Sequence, residues 1–199
     1  MDFIDFVKEV SEINNICSSD LTKLKNAKMK NNKSVDDNLV SLIAKIGEKI
    51  TIGKTKTIQN LNAQNFIYQH SVIQDNVSKL GVVVSIETDQ ESNKIDLFGK
   101  HLSMHIAASN PISIYSEDID QNILSKEKNL IFEELKNSGK TDEILKKISI
   151  GKINKFKDEN SLITQDWVLD PKKKVKEILT EMNIVNLKIK EFARVKIGD

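Results

Sequence analysis

Cysteine occurs once in 199 residues, at Cys17, so no disulfide can form within the chain, and a reducing cytoplasm fits. A lone cysteine of this kind is expected to act as a small, half-buried hydrophobe. Arginine is equally scarce: Arg194 is the only one, and every other basic residue is lysine. Arginine suits bidentate contacts to phosphate and guanine best, so its near absence disfavours sequence-reading recognition of nucleic acid. The net charge of +1 leaves no overall field to attract nucleic acid or an acidic membrane. No run of about 18 apolar residues occurs, so nothing reads as a membrane-spanning helix. The opening Met1-Asp2-Phe3-Ile4-Asp5 lacks the basic and apolar regions of a signal peptide. Glycine is sparse and isolated, and neither a phosphate loop, a dinucleotide fingerprint nor a nucleophile elbow is present. What remains is 39% apolar and 30% charged residues, enough for a soluble globular core in one domain or two small subdomains.

Helical periodicity opens the chain. Phe3, Phe6, Val7, Val10 and Ile13 share one face over residues 3–16, and a short helix is expected around Asp20–Lys28. Ser34-Val35-Asp36-Asp37 resembles a capping box. Behind it Leu39, Leu42, Ile43, Ile46 and Ile50 recur at three- and four-residue steps, with Gly47 near the helix end as a cap or point of close approach.

The middle is strand-like. Ile50–Ile58 is rich in Thr and Ile, Phe66, Tyr68, His70 and Val72 alternate, and Leu80–Ile86 is a near-continuous apolar run that suits a central strand. Short polar links make an antiparallel meander of these three the economical expectation. Residues 94–109 return to helix, with Ile95, Phe98, Leu102 and Ile106 on one stripe and Asn110-Pro111 at the end. Residues 117–137 and 141–157 predict two antiparallel helices around Asn137-Ser138-Gly139-Lys140, with Gly139 as C-terminal cap and Thr141 as N-cap. Their thin apolar seams suit a hairpin that projects from the body. Asp170-Pro171 predicts another helix start, with Val175, Ile178, Leu179 and Met182 facing inward. Asn186–Ile197 alternates as a half-exposed strand that joins the earlier sheet.

Catalytic chemistry is hard to find. His101 and His105 have metal-ligand spacing, but Leu102 occupies the place where a metalloprotease carries its glutamate, and no third histidine is near. A packed, hydrogen-bonded His105 is the better reading. Glu117-Asp118 and Glu133-Glu134 fit solvated helix faces, and Lys172-Lys173-Lys174 lacks the interleaved aromatics of a phosphate-tracking groove. The residues alone therefore predict a non-enzymatic interaction protein with no metal and no cofactor.

Three stretches carry a family likeness. Asn38–Ile50 (NLVSLIAKIGEKI) resembles the helix of bacterial elongation factor Ts that ends in Ile-Gly-Glu. Tyr68-Gln69-His70 and Leu80-Gly81-Val82-Val83-Val84 resemble its Tyr-x-His strand and the strand after it, and Ser103–Pro111 (SMHIAASNP) its Met-His-x-Ala-Ala segment. Ser138-Gly139-Lys140, Asp170-Pro171 and Phe192-Ala193-Arg194 add to the match, which runs in order over roughly residues 3–198.

The resemblance implies an α+β fold of two small subdomains with antiparallel sheets, plus an inserted antiparallel helical coiled coil. The expected division is 1–58 as a remnant of the N subdomain, 59–116 with 158–199 as the C subdomain, and 117–157 as the insertion. It implies that elongation factor Tu is the partner, that guanine-nucleotide release is the activity, and that no nucleotide is bound directly. By position, Ile46 and Gly47 match contacts on the partner's nucleotide-binding domain, and His70 a contact away from the nucleotide. Two alternatives stand beside this: a binding-only module with little exchange activity, and a lysine-rich nucleic-acid-binding protein. The family also has an N-terminal helical module and a strand ending in Thr-Asp-Phe-Val, whose Asp and Phe disturb magnesium and phosphate binding. Asp5-Phe6-Val7 repeats part of that motif, but its spacing to Ile46-Gly47 suits the helix after it. The module and the strand are read as missing, and the family continues past Gly198-Asp199, so a fragment or truncated product is expected.

Overall fold

The computed structural model describes residues 2–89, 92–136 and 141–198 and shows an α+β chain. In chain order the first elements are α1 (Phe3–Cys17), α2 (Leu21–Asn26), α3 (Val35–Ile46), β1 (Ala63–Gln74) and β2 (Val77–Glu87). There follow α4 (Asn93–Ser109), α5 (Gln121–Leu135), α6 (Asp142–Asn160), β3 (Asp166–Trp167), β4 (Asp170–Lys174), α7 (Val175–Glu181) and β5 (Lys188–Lys196). Spatial contacts divide the chain into two compact units, Met1–Ile86 with Lys190–Asp199, and Glu87–Ile189.

The helices of the first unit start where short polar side chains satisfy free N–H groups. Asp2 accepts from Asp5 N at 2.8 Å and Asp20 from Lys23 N at 2.9 Å. Ser34 and Asp37 form the expected capping box, and the bonds from the Ser34 side chain and backbone hold the Asp37 carboxyl below its usual range. Phe6, Val10, Leu24, Met29, Val35, Leu39 and Leu42 make one buried core, against which Ile13, Cys17, Ile43, Ile50 and Ile52 pack. Cys17 is thus the half-buried hydrophobe its isolation predicts.

The sheet order is β1-β2-β5, which puts β2 in the centre, as its apolar run requires. Val77, Leu80, Val82, Val84 and Ile86 of that strand are all buried. Asp75-Asn76 links β1 to β2, with Asn76 at φ 63, so the two strands run antiparallel. The sequence-predicted strand over Ile50–Ile58 is not formed. That segment has no ladder, and β5 takes the third place in the sheet. Its apolar residues dock while its backbone finds no strand to pair with.

In the second unit, α4 buries Ile95, Phe98, Leu102, His105 and Ile106. Asp170-Pro171 does not begin a helix. It opens β4, which pairs antiparallel with β3, and α7 starts five residues later at Val175. Pro171 lacks an N–H and is tolerated near a strand end as readily as at a helix start. The effective cap is Glu177, whose carboxylate accepts from Lys174 N at 2.8 Å.

α5 and α6 form the antiparallel pair, with Ile131, Leu135 and Ile153 buried between them and Leu145 and Ile148 alongside. Lys152 bridges to Glu134 at 2.5 Å. The expected cap at Gly139 and the Ser138-Gly139-Lys140 turn lie outside the described residues. Backbone bonds close the base of the pair: Ile112 N to Asn160 O at 2.9 Å, Leu162 N to Ser113 O at 2.9 Å, and Ile163 N to Ile114 O at 3.2 Å.

His105 is fully buried against Trp167, ring centroids 5.2 Å apart. Val168 N–H donates to Nδ1 at 3.3 Å, so the ring proton sits on Nε2, 3.0 Å from Gln165 Oε1. The Gln165 amide nitrogen in turn donates to Ser109 O and Glu159 O, at 3.3 and 2.8 Å, which orients it. A second ring proton would set N–H against N–H. Burial lowers the His105 pKa from 6.5, and the Gln165 bond only partly opposes this. The unfolded chain therefore takes up this proton before the folded one does. Stability is expected to hold above pH 6.5 and to fall as pH drops through that value toward the folded pKa. Urea midpoints at pH 7.5 and 5.5 check it. His105→Asn should lose part of the pH dependence, and an unchanged dependence would refute the assignment.

Candidate functional site

Ile46 is the last residue of α3, and 43% of it is exposed. Gly47 ends the helix in the left-handed region, φ 80 and ψ 10, with its N–H bonded to Ile43 O at 2.8 Å. A Cβ at Gly47 would meet nothing within 4 Å. The chain's own packing therefore leaves room for a side chain there, and glycine answers to the backbone conformation and to whatever approaches from outside.

Ile46 stands at a groove of about 770 Å³ within the first unit, lined also by Phe3, Ile50, Val195 and Ile197. Four lysines, Lys49, Lys54, Lys79 and Lys196, join these apolar residues, with Glu48 as the one acid. Lys49 and Lys54 lie close to Gly47 in sequence, so their clustering was readable. Lys79 and Lys196 arrive only through the fold, and no local pattern announces them.

His70 is exposed on β1 and is not among the groove residues. Its Nδ1 lies 3.1 Å from Tyr68 Oη, with ring centroids 6.1 Å apart, so the two residues do share a face. Phe66 at the inner end of that row is buried, while Val72 is exposed. Ser71, at φ 53, breaks the regular alternation, and Val72 and Ile73 both reach solvent. The structure thus brings Ile46 and Gly47 together and leaves His70 as a separate exposed point.

Other candidates resolve differently. Phe6 is 3% exposed and belongs to the first core. His101 rims a shallow depression over Phe98 and Trp167, whereas both nitrogens of His105 are occupied. No group of three metal-ligating side chains occurs among the described residues. In the lysine run, Lys173 pairs with Glu181 at 2.7 Å, which raises its pKa, and Lys174 donates to Thr164 O at 2.7 Å. Those two lysines serve local structure. Among the described residues no helix is long and apolar enough to cross a membrane.

Elongation factor Ts of Psychrobacter sp. is 34% identical over 200 residues, covering 99% of this chain and 62% of that protein. Elongation factor Ts of Rickettsia felis is 30% identical over 201 residues, covering 99% and 65%. That of Gluconobacter oxydans is 30% identical over 197 residues, covering 99% and 64%. The chain thus spans slightly less than two thirds of the length of these relatives. The family model described as "Elongation factor TS" matches residues 1–199, and the chain belongs to the elongation factor Ts family.

Proposed function

We propose that this chain binds elongation factor Tu in the cytoplasm and promotes release of GDP from it, as an exchange factor that forms no covalent bond and carries no cofactor. The observation that supports this most directly is Ile46, a half-exposed apolar knob at a helix end beside a left-handed glycine with open space over its α-carbon. Such a site admits a partner backbone to close range and covers an apolar side chain in doing so. Exchange then follows from differential affinity. A protein that prefers the nucleotide-free partner must weaken GDP binding by the same factor.

His70 is the second proposed contact. His70→Ala should weaken the complex with elongation factor Tu by about 1–3 kcal/mol, the range for an interface anchor, and leave the unfolding midpoint nearly unchanged. Titration calorimetry and a thermal melt check both halves. A midpoint that dropped with unaltered affinity would make His70 a structural residue.

Residues 117–157 are proposed as an insertion that folds separately from the two subdomains of residues 1–58 and of 59–116 with 158–199. Replacing 117–157 with a short link should leave a cooperatively unfolding remainder. Loss of cooperative unfolding in that variant would refute the insertion.

A further inference from the structure

We infer that the hairpin Lys28–Ser34, with the adjoining end of α2, binds the phosphate backbone of double-helical nucleic acid without reading its sequence. The first observation is charge. Residues 21–35 hold Lys23, Lys25, Lys28, Lys30 and Lys33 and no acid, in a chain whose basic and acidic residues nearly balance at 30 and 29. On α5 and α6, by contrast, lysines pair with carboxylates, as in Lys147–Glu143, Lys152–Glu134 and Lys155–Glu159. The ion pairs of the five lysines among the described residues are Lys23–Asp20 at 3.8 Å and Lys30–Glu12 at 3.9 Å. Both are exposed and so worth little. Lysine is a point charge without the fork of arginine, which suits contact with phosphates and carries no base preference.

The second observation is that these charges are held in place. The hairpin closes through Met29 N to Lys33 O at 2.9 Å and Val35 N to Ala27 O at 3.0 Å, with Lys28 and Ser34 bridged antiparallel. Asn32 turns it at φ 61, and Asn31 and Asn38 exchange amide bonds at 2.7 and 3.2 Å. Leu24, Met29 and Val35 anchor it in the first core, and Glu9 accepts from Lys30 N at 2.5 Å. With its backbone already ordered, the hairpin has only side-chain freedom to lose on binding. It stands at the start of α3 and Ile46 at the end, about 18 Å away by helical rise, so the two contacts are separate.

The same anchoring argues against other occupants. From Ser18 to Leu39 no large apolar side chain is exposed, so a protein partner would find little to bury and a membrane nothing to take up. Residues 7–65 contain no aromatic side chain, so α2, the hairpin and α3 offer a single strand no ring for its bases. A duplex needs neither. Its bases stack on one another, and both strands present phosphates to a compact group of cations.

A fluorescein-labelled RNA duplex of twenty base pairs tests this without elongation factor Tu, so the outcome is independent of that assignment. Anisotropy at low salt should show saturable binding. Log affinity should fall against log salt with a slope of about −3 to −4, as expected for three or four neutralised phosphates. A duplex of scrambled sequence and a DNA duplex of equal length should bind within about threefold, since phosphates carry no sequence. Lys28→Gln, Lys30→Gln and Lys33→Gln together, all at exposed positions, should weaken binding at least tenfold. They should also flatten the slope by about 2 or more, at an unchanged unfolding midpoint. Lys126→Gln, Lys128→Gln and Lys146→Gln together remove the same charge from α5 and α6 and should leave binding intact. Absence of binding, equal loss from the two triple variants, strong preference for one sequence, tighter binding of a single strand, or tighter binding of phosphatidylserine vesicles would each overturn the proposal.

Discussion

Phe6→Ala is expected to lower the unfolding free energy by about 3–5 kcal/mol, the usual cost of emptying an aromatic core site. Phe6 is 3% exposed, and it shares its core with Val10, Leu24, Met29, Val35, Leu39 and Leu42. Removing the ring leaves a hole in a small cluster that has little else to close over it. Asp5 is exposed, its backbone N–H bonded to Asp2, so Asp5→Ala should cost a few tenths of a kcal/mol at most. The contrast matters because Asp5-Phe6-Val7 repeats letters of the family's nucleotide-disturbing motif. A urea titration of both variants decides between core and wedge. If Phe6→Ala kept full stability and lost only action on the partner, the phenyl ring would be a functional group.

The second large effect concerns exchange itself. The 199 residues alone are expected to associate with elongation factor Tu but to accelerate GDP release at least about tenfold less than a chain that includes a Thr-Asp-Phe-Val strand, a difference of ~1.4 kcal/mol or more. The proposed contacts at Ile46, Gly47 and His70 would distinguish the empty partner from the GDP-bound one less sharply than groups placed beside the nucleotide itself. A ligand that binds the GDP-bound and empty partner equally shifts no equilibrium, however tightly it binds. Stopped-flow release of a fluorescent GDP analogue, with the two chains side by side, measures the difference. Equal rates would mean that exchange does not need the added strand and would remove the binding-only alternative.

Much of the fold was legible because its signals are local. The α3 capping box, the left-handed Gly47 and the β2 apolar run each reflect steric or hydrogen-bonding demands met within a few residues. Ile50–Ile58 misled because strand-like side chains say nothing about whether a second backbone is at hand. Asp170-Pro171 misled because a missing N–H suits a strand start and a helix start alike, while the cap that mattered, Glu177, lay seven residues on from Asp170. His105 was readable as a packed histidine. Its partners Gln165 and Trp167 are about sixty residues away, and only the folded chain brings them into contact. Likewise Ile46 and Gly47 were visible as a pair, but Lys79 and Lys196 reach them only through the sheet.

The closed base of the α5–α6 pair has a consequence for how this chain can change over time. Three backbone bonds between residues 112–114 and 160–163 hold the two entry points side by side, whatever lies beyond them. Whole helical turns, each about 3.6 residues and 5.4 Å, can then be gained or lost symmetrically in both arms without disturbing the body. The length of the pair then becomes a variable that lineages can adjust without altering its base. Insertions in one arm only would shift the Ile131–Ile153 seam out of register and should be rare among natural variants.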